Sequence, residues 1–322
     1  MPERVITFGQ AINEAQALEM RRDHSVILLG ENVSSQYREA TKGLKEEFGR
    51  ERVRDAPITE TAFIGAGVGA AIVGLRPIVE LMLVDFGLVA MDQILNQMAK
   101  STYMSGGAVK VPLTLRCVTG AGTASGATHS ESLHGIFAHM PGIKVVIPST
   151  PYDAKGLLAS CIQSESPSIY MEHRLLMGVK GNVPLGGYTV PLGVANVPRE
   201  GEDATVVACG LMVHEALKAA EQLEGKIDVE VIDPRTLVPF DEETILKSVK
   251  KTGKLVVVDE DYRFCGWSGE VVALAAEKGF KDLKAPIQRV ATPNIPFPFN
   301  PKLERQLLPD ASKIAAAVKK IV

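Results

Sequence analysis

Runs of consecutive apolar residues alternate along this chain with longer stretches in which apolar positions recur every three or four residues. Ser25–Gly30 (SVILLG), Arg76–Phe86 (RPIVELMLVDF), Val111–Cys117 (VPLTLRC) and Ile143–Ser149 (IKVVIPS) are unbroken apolar runs. Such runs suit strands covered on both faces, as in a parallel sheet. Between them, Thr61–Val73 and Asp153–Gln163 have helical spacing. The pattern predicts an α/β fold.

Residues Gly178–Arg199 collect glycine and proline without periodicity and read as a linker. After it the alternation resumes. Thr205–Gly210, Val229–Asp233 and KLVVVDED read as strands; HEALKAAEQL, EETILKSVKKT with Gly253 behind it, and SGEVVALAAEKG read as helices. The right-handed crossover rule makes the resulting βαβαβα module mainly parallel. DASKIAAAVKKIV closes the chain as a helix capped by Asp310 or Ser312. Two domains are expected, residues 1–185 including the linker and 186–322, in keeping with the 322-residue length.

Composition narrows the function classes. With 46% hydrophobic and 23% charged residues, disorder is excluded as the main state. The net charge of −3 is spread without a basic cluster, which argues against a nucleic-acid partner. No run approaches the ~20 apolar residues of a membrane helix, and the N-terminus enters a strand and helix directly, so a cytoplasmic protein without a leader is expected. Cys117, Cys161, Cys209 and Cys265 stand more than 40 residues apart and read as reduced thiols in or near the core.

Several motifs are decoys. Gly65–Ala70 (GAGVGA) imitates a dinucleotide fingerprint, but Pro57 precedes it where a strand should feed in, so its small residues point to close helix packing. His129, His134 and His139 are five apart, about 140° around a helix, whereas metal pairs use three or four. Glu131–His134 is a single E-x-x-H where paired sites need two. One carboxylate is unusual: Glu60, in APITETAFIGAG, has no cation nearby in sequence. It reads either as a helix cap, through Thr59 or Glu60 itself, or as a desolvated functional acid.

The long segment RVRDAPITETAFIGAGVGAAIVGLRPIVELMLVDFGLVAMDQILNQMAK resembles the pyrimidine-binding domain of 2-oxo acid dehydrogenase β subunits. So do KSTYMSGGAVKVPLTLR, ATHSES, HMPGIKVVIPSTPYDAKGLL, EVIDPRTLVP and SVKKTGKLVVVDE. The resemblance spans essentially the whole chain. It implies a pyrimidine-binding thiamine-diphosphate domain with a mainly parallel sheet, followed by a transketolase-type C-terminal α/β domain.

By that resemblance Glu60 would hydrogen-bond the aminopyrimidine ring nitrogen of thiamine diphosphate, with Ile58 beside it. Phe86 would stack on the pyrimidine, and His129 would serve acyl transfer to lipoyl-lysine. A potassium ion would lie among backbone carbonyls around Leu113, Cys161, Ile162, Ser164 and Ser166, although the family often has Asp and Asn where Ser164 and Ser166 stand. The Gly-Asp-Gly stretch that carries the Mg²⁺–diphosphate in thiamine enzymes is missing from the sequence. Those ligands are therefore expected from an α partner in an α₂β₂ assembly with a second β subunit, serving a lipoyl acyltransferase core that docks on the chain from about Asn182 onward.

Oxidative decarboxylation of a 2-oxo acid is the leading expectation, with acetoin cleavage as its relative. MEHRLLMG (Met171–Gly178) departs from the tyrosine-bearing segment common in pyruvate enzymes. A stand-alone transketolase-like carboligase is disfavoured by the missing Gly-Asp-Gly, and a silent scaffold by the presence of Glu60, Phe86 and His129 together.

Overall fold

The computed structural model describes residues 4–35 and 39–322. The chain divides into two compact units, one of residues 1–119 with 137–192 and one of residues 120–136 with 193–322.

In the first unit, strands β1 (Val5–Thr7), β2 (Val26–Gly30), β3 (Val53–Asp55), β4 (Arg76–Leu83), β5 (Thr114–Thr119), β6 (Lys144–Val146), β7 (Ser168–His173) and β8 (Lys180–Asn182) accompany helices α1 (Phe8–Arg22), α2 (Leu44–Phe48), α3 (Glu60–Ile72), α4 (Ala99–Met104), α5 (His134–Ala138, which begins in the second unit) and α6 (Pro151–Gln163). Six strands pair in the order β6-β7-β5-β4-β2-β3, every pair parallel. β1 and β8 form a separate antiparallel ribbon. The central strands are buried along nearly their whole length, which is why β4 and β5 read as unbroken apolar runs rather than alternating ones.

Two apolar runs end differently from the sequence reading. Arg76–Phe86 is a strand only to Leu83; Val84–Ala90 winds into a tight 3₁₀ turn that carries Phe86 off the sheet. Val111–Cys117 joins its ladder only from Thr114, after Pro112, which has no N–H to donate. α6 starts two residues before the expected Asp153, with Pro151 in its first turn and the Thr150 hydroxyl accepting from Asp153 N–H at 3.1 Å.

The charged centre of this unit is unusual. Arg116 on β5 is fully buried and pairs with Glu80 on β4 at 2.9 Å and with Glu172 on β7, while Gln16 of α1 accepts a further bond at 3.1 Å. Two carboxylates and one guanidinium thus cross-link three neighbouring strands.

In the second unit β9 (Asn196–Arg199), β10 (Ala204–Ala208), β11 (Val229–Asp233), β12 (Thr236–Val238), β13 (Leu255–Tyr262) and β14 (Gln288–Thr292) alternate with α7 (Leu211–Leu223), α8 (Glu242–Thr252), α9 (Ser268–Lys278), α10 (Pro301–Leu307) and α11 (Ala311–Lys319). Five strands pair in the order β14-β13-β10-β11-β9. All pairs are parallel except β9 against β11. α7 and α11 cover one face, closing a core of Val206, Met212, Ala216, Val231, Ile314 and Val318 among others. Gly253 ends α8 in the left-handed conformation at φ 72°, and Asp310 caps α11 by accepting from Lys313 N–H. The glycine- and proline-rich segment 178–199 is not wholly linker, since both of its ends are strands, β8 and β9.

Candidate functional site

Glu60 opens α3. The residue ahead of it, Thr59, has no side-chain bond to the helix; its hydroxyl donates instead to the Pro57 carbonyl at 3.0 Å. The capping reading therefore fails for Thr59. Glu60 is only 7% exposed, and its carboxylate makes no hydrogen bond or ion pair with any described residue. A buried acid normally finds a partner, because desolvation without one is costly. Its position at a helix N-terminus offsets part of that cost through the helix dipole.

α3 itself is apolar all round. Phe63, Ile64, Gly67, Val68 and Ala71 are its buried side, and a Cβ at Gly67 would stand 2.6 Å from the Val79 side chain of β4. Of the GAGVGA glycines, Gly67 thus serves close helix–sheet packing, whereas a Cβ at Gly69 would meet nothing within 4 Å. The opposite face, Ala62, Ala66, Gly69 and Ile72, is exposed and also apolar. A helix of this kind is ordinarily buried on every side. The 3₁₀ turn with half-buried Phe86 packs beside α3, pinned by the Thr61 hydroxyl donating to Val89 carbonyl at 3.1 Å. Ile58, just before the helix, is 71% exposed. The structure thus brings the elements of Ile58, Glu60 and Phe86 together in the first unit. A cavity of about 480 Å³ beside α3, lined by Arg54, Pro57, Phe63 and Ala66, does not include Glu60 and is not assigned to the cofactor.

The carbonyls expected to cradle potassium also lie together, but other groups already use them. Arg76 donates to Ile162 carbonyl at 3.0 Å and to Ser164 carbonyl at 2.7 Å. Lys144 donates to the Ser164 hydroxyl at 2.7 Å and to Ser166 carbonyl at 3.5 Å. Leu113 and Cys161 carbonyls accept from the backbone N–H groups of Ser168 and Ser164. Two cationic side chains at one cradle repel a third cation, so this set does not fit a potassium ion.

His129 belongs to the second unit, on segment 120–136. It is exposed, with Nδ1 2.9 Å from the Thr128 hydroxyl. The other two histidines of the five-residue series differ from each other: His139 is exposed, whereas His134 is buried. Glu131 accepts from Tyr262 Oη at 3.0 Å.

Sequence reasoning missed the surroundings of His134. Its Nε2 lies 2.8 Å from Asp259 Oδ1 and 4.0 Å from Asp261, and the Cys209 thiol is close by. Burial pushes the imidazole down, but the charges and hydrogen bond of Asp259, with Asp261 behind, outweigh it and lift it to about 9. Burial pushes the Cys209 thiol up. A protonated imidazole beside a protonated thiol is a hydrogen-bonded pair with a bystander, not a cation cradle. The only sequence signal was DED at Asp259–Asp261, which gives no hint of a partner 125 residues earlier.

Comparisons with known proteins agree with this architecture. Residues 4–180 match the transketolase pyrimidine-binding domain, and residues 193–314 the transketolase C-terminal domain. Among curated proteins, the chain is 46% identical to the β subunit of acetoin:2,6-dichlorophenolindophenol oxidoreductase of Bacillus subtilis, over 99% of this chain and 98% of that one. It is 43% identical to the 2-oxoisovalerate dehydrogenase β subunit of the same organism, over 98% of each. It is 42% identical to the pyruvate dehydrogenase E1 β subunit of Rickettsia felis, again over 98% of each. Among solved structures, a split-gene transketolase described as an inactive β₄ tetramer superposes with a TM-score of 0.79 at 23% identity, covering 98% of both chains, which is a likeness of fold. The chain therefore belongs to the β subunits of the thiamine-dependent dehydrogenases of 2-oxo acids and acetoin, built from transketolase-type domains.

Proposed function

We propose that this chain supplies the pyrimidine side of a thiamine-diphosphate site whose Mg²⁺–diphosphate side comes from an α subunit, in an α₂β₂ enzyme that oxidatively decarboxylates a 2-oxo acid and passes the acyl group to the lipoyl-lysine of an acyltransferase. The observation that carries this reading is the Glu60 carboxylate, buried at the start of α3 and unpaired among the described residues. An acid so placed is ready to share a proton with a ligand nitrogen.

Thiamine diphosphate, when bound, contributes the nucleophilic thiazolium carbon and the electron sink. Glu60 would hold the proton at the pyrimidine ring nitrogen and so favour the imino form, and Phe86 would orient the ring by stacking, with Ile58 at its border. His129, exposed on its loop, would meet the acyl acceptor. The diphosphate needs hard oxygen ligands around Mg²⁺, and the absence of Gly-Asp-Gly supports their origin in a partner. The exposed apolar face of α3 supports one too, since exposed Ala62, Ala66, Gly69 and Ile72 suit burial against another chain. Potassium is left out of this reading because Arg76 and Lys144 fill its cradle.

Cleavage of acetoin is the second reading, favoured by the 46% identity with acetoin-oxidising β subunits over nearly the full length. Co-expression with the Gly-Asp-Gly-bearing α chain and turnover of pyruvate, branched-chain 2-oxo acids and acetoin with an artificial electron acceptor tests both. Turnover of a 2-oxo acid supports the first reading and preference for acetoin the second. No thiamine-dependent turnover of any would overturn both.

A further inference from the structure

Segment 120–136 leaves its sequence neighbourhood and is stapled to the second unit, largely by consecutive residues at the end of β13. Asp259 Oδ1 accepts from His134 Nε2 at 2.8 Å, and Glu260 Oε1 accepts from Ala121 N–H at 2.7 Å and the Ser132 hydroxyl at 3.3 Å. Asp261 Oδ2 accepts from Gly135 N–H at 2.9 Å, and Tyr262 donates to Glu131 at 3.0 Å. At the other arm Glu304 Oε2 accepts from the N–H of Ala124, itself in the left-handed region at φ 53°. The Phe299 ring lies so close to Gly126 that a Cβ there would stand 2.4 Å away. His129 projects from between these two arms.

The staple gathers like charges. Asp259, Glu260 and Asp261 all face the segment, Cys209 beside them is a neutral thiol, and the segment's own acid, Glu131, turns to Tyr262. His134 returns a positive charge to this group, 2.8 Å from Asp259 and 4.0 Å from Asp261. Asp259 also accepts from two backbone N–H groups, those of Asp261 and Ser268, which hold its carboxylate toward His134.

We propose that His134 is a positioning residue, whose ion pair with Asp259 and Asp261 locks segment 120–136 and thereby holds His129 where an acyl acceptor can reach it. This rests on the acyl-transfer role of His129 given above. The lock acts on delivery of the acyl group and not on the steps before it. The lift of His134 by its carboxylates keeps the lock charged through the neutral range and releases it in alkali.

The test uses the assembled αβ holoenzyme and two assays, turnover with an artificial electron acceptor and acyl transfer to an isolated lipoyl domain. His134→Gln should lower kcat/KM for the lipoyl domain at least tenfold and leave artificial-acceptor turnover within twofold. In the parent, lipoyl transfer should fall as pH rises through about 9 while artificial-acceptor turnover does not follow; the variant should lose that difference. Asp261→Asn keeps an acceptor for Gly135 N–H but removes one charge, so its alkaline fall must move to lower pH, which keeps the proposal falsifiable if His134→Gln does not assemble. Equal losses in both assays, or an unshifted profile in Asp261→Asn, overturn the lock. His129→Ala separates the two levels. If it abolishes lipoyl transfer while His134→Gln does not, only the lock falls; if it transfers normally, the role of His129 and the lock fall together.

Discussion

Glu60 separates two roles that its sequence left open. Glu60→Gln keeps the shape but loses the mobile proton. Loss of general acid–base function costs ~10²–10⁴ in rate, about 3–5.5 kcal/mol of barrier. Thermal stability should hold or rise, since a buried carboxylate with no partner among the described residues is exchanged for a neutral amide. Near-parental decarboxylation with a lowered melting temperature would instead make Glu60 a structural element of α3. Arg116 behaves oppositely: its removal takes the guanidinium away from the buried Glu80 and Glu172 carboxylates, so Arg116→Met should cost on the order of 3–5 kcal/mol in denaturant unfolding. A loss below 1 kcal/mol would show that the carboxylates simply take up protons. For His134 the folded value of about 9 exceeds the ordinary 6.5, so its stabilising contribution is complete below about pH 6.5 and is lost as pH climbs through 9. That span amounts to roughly 3 kcal/mol, and His134→Gln should flatten the alkaline fall in melting temperature.

At the scale of elements, β2, β4, β5, β6, β10, β11 and β13 were legible as apolar runs, and Val229–Asp233 coincides with its strand, whereas β7, buried along its whole length, was not read as one. The end of α8 was legible because Gly253 supplies the left-handed residue a helix stop requires. β9 was not, since it hides among Gly193, Pro198 and Gly201 and pairs antiparallel at a sheet edge, where little side-chain pattern is demanded. The 3₁₀ turn of Phe86 continues the apolar run of β4 without a break, so nothing in the composition marks where the sheet lets go. Glu60 and its neighbours could be named because they are close in sequence; the His134–Asp259 pair, 125 residues apart, could not. α3 offers a test of its apolar outer face. A Cβ at Gly69 meets nothing within 4 Å, so Gly69→Arg should stabilise the isolated chain by about 0.5–1 kcal/mol through helix propensity. The same change should abolish co-purification with the α chain. Unimpaired assembly would place that face outside the interface.

For the molecule as a whole, the α/β fold class follows from alternation along the chain, whereas the partition of segment 120–136 into the second unit depends on carboxylates far away in sequence. Among the described residues no helix is long and apolar enough to cross a membrane. The cation cradle is a departure that only geometry reveals: with Arg76 and Lys144 in place, exchanging K⁺ for Na⁺ at constant ionic strength should leave the melting temperature of the chain unchanged. A potassium-specific rise would mean that the two side chains yield. The central claim is that this chain carries half of a cofactor site. Calorimetric titration of thiamine diphosphate with Mg²⁺ into the chain alone, and into the chain with its α partner, addresses it directly. The account predicts little or no heat from the chain alone and tight, Mg²⁺-dependent binding to the pair, lost when Glu60 and the α chain's Gly-Asp-Gly aspartate are both replaced. Tight Mg²⁺-dependent binding to the isolated chain would contradict it.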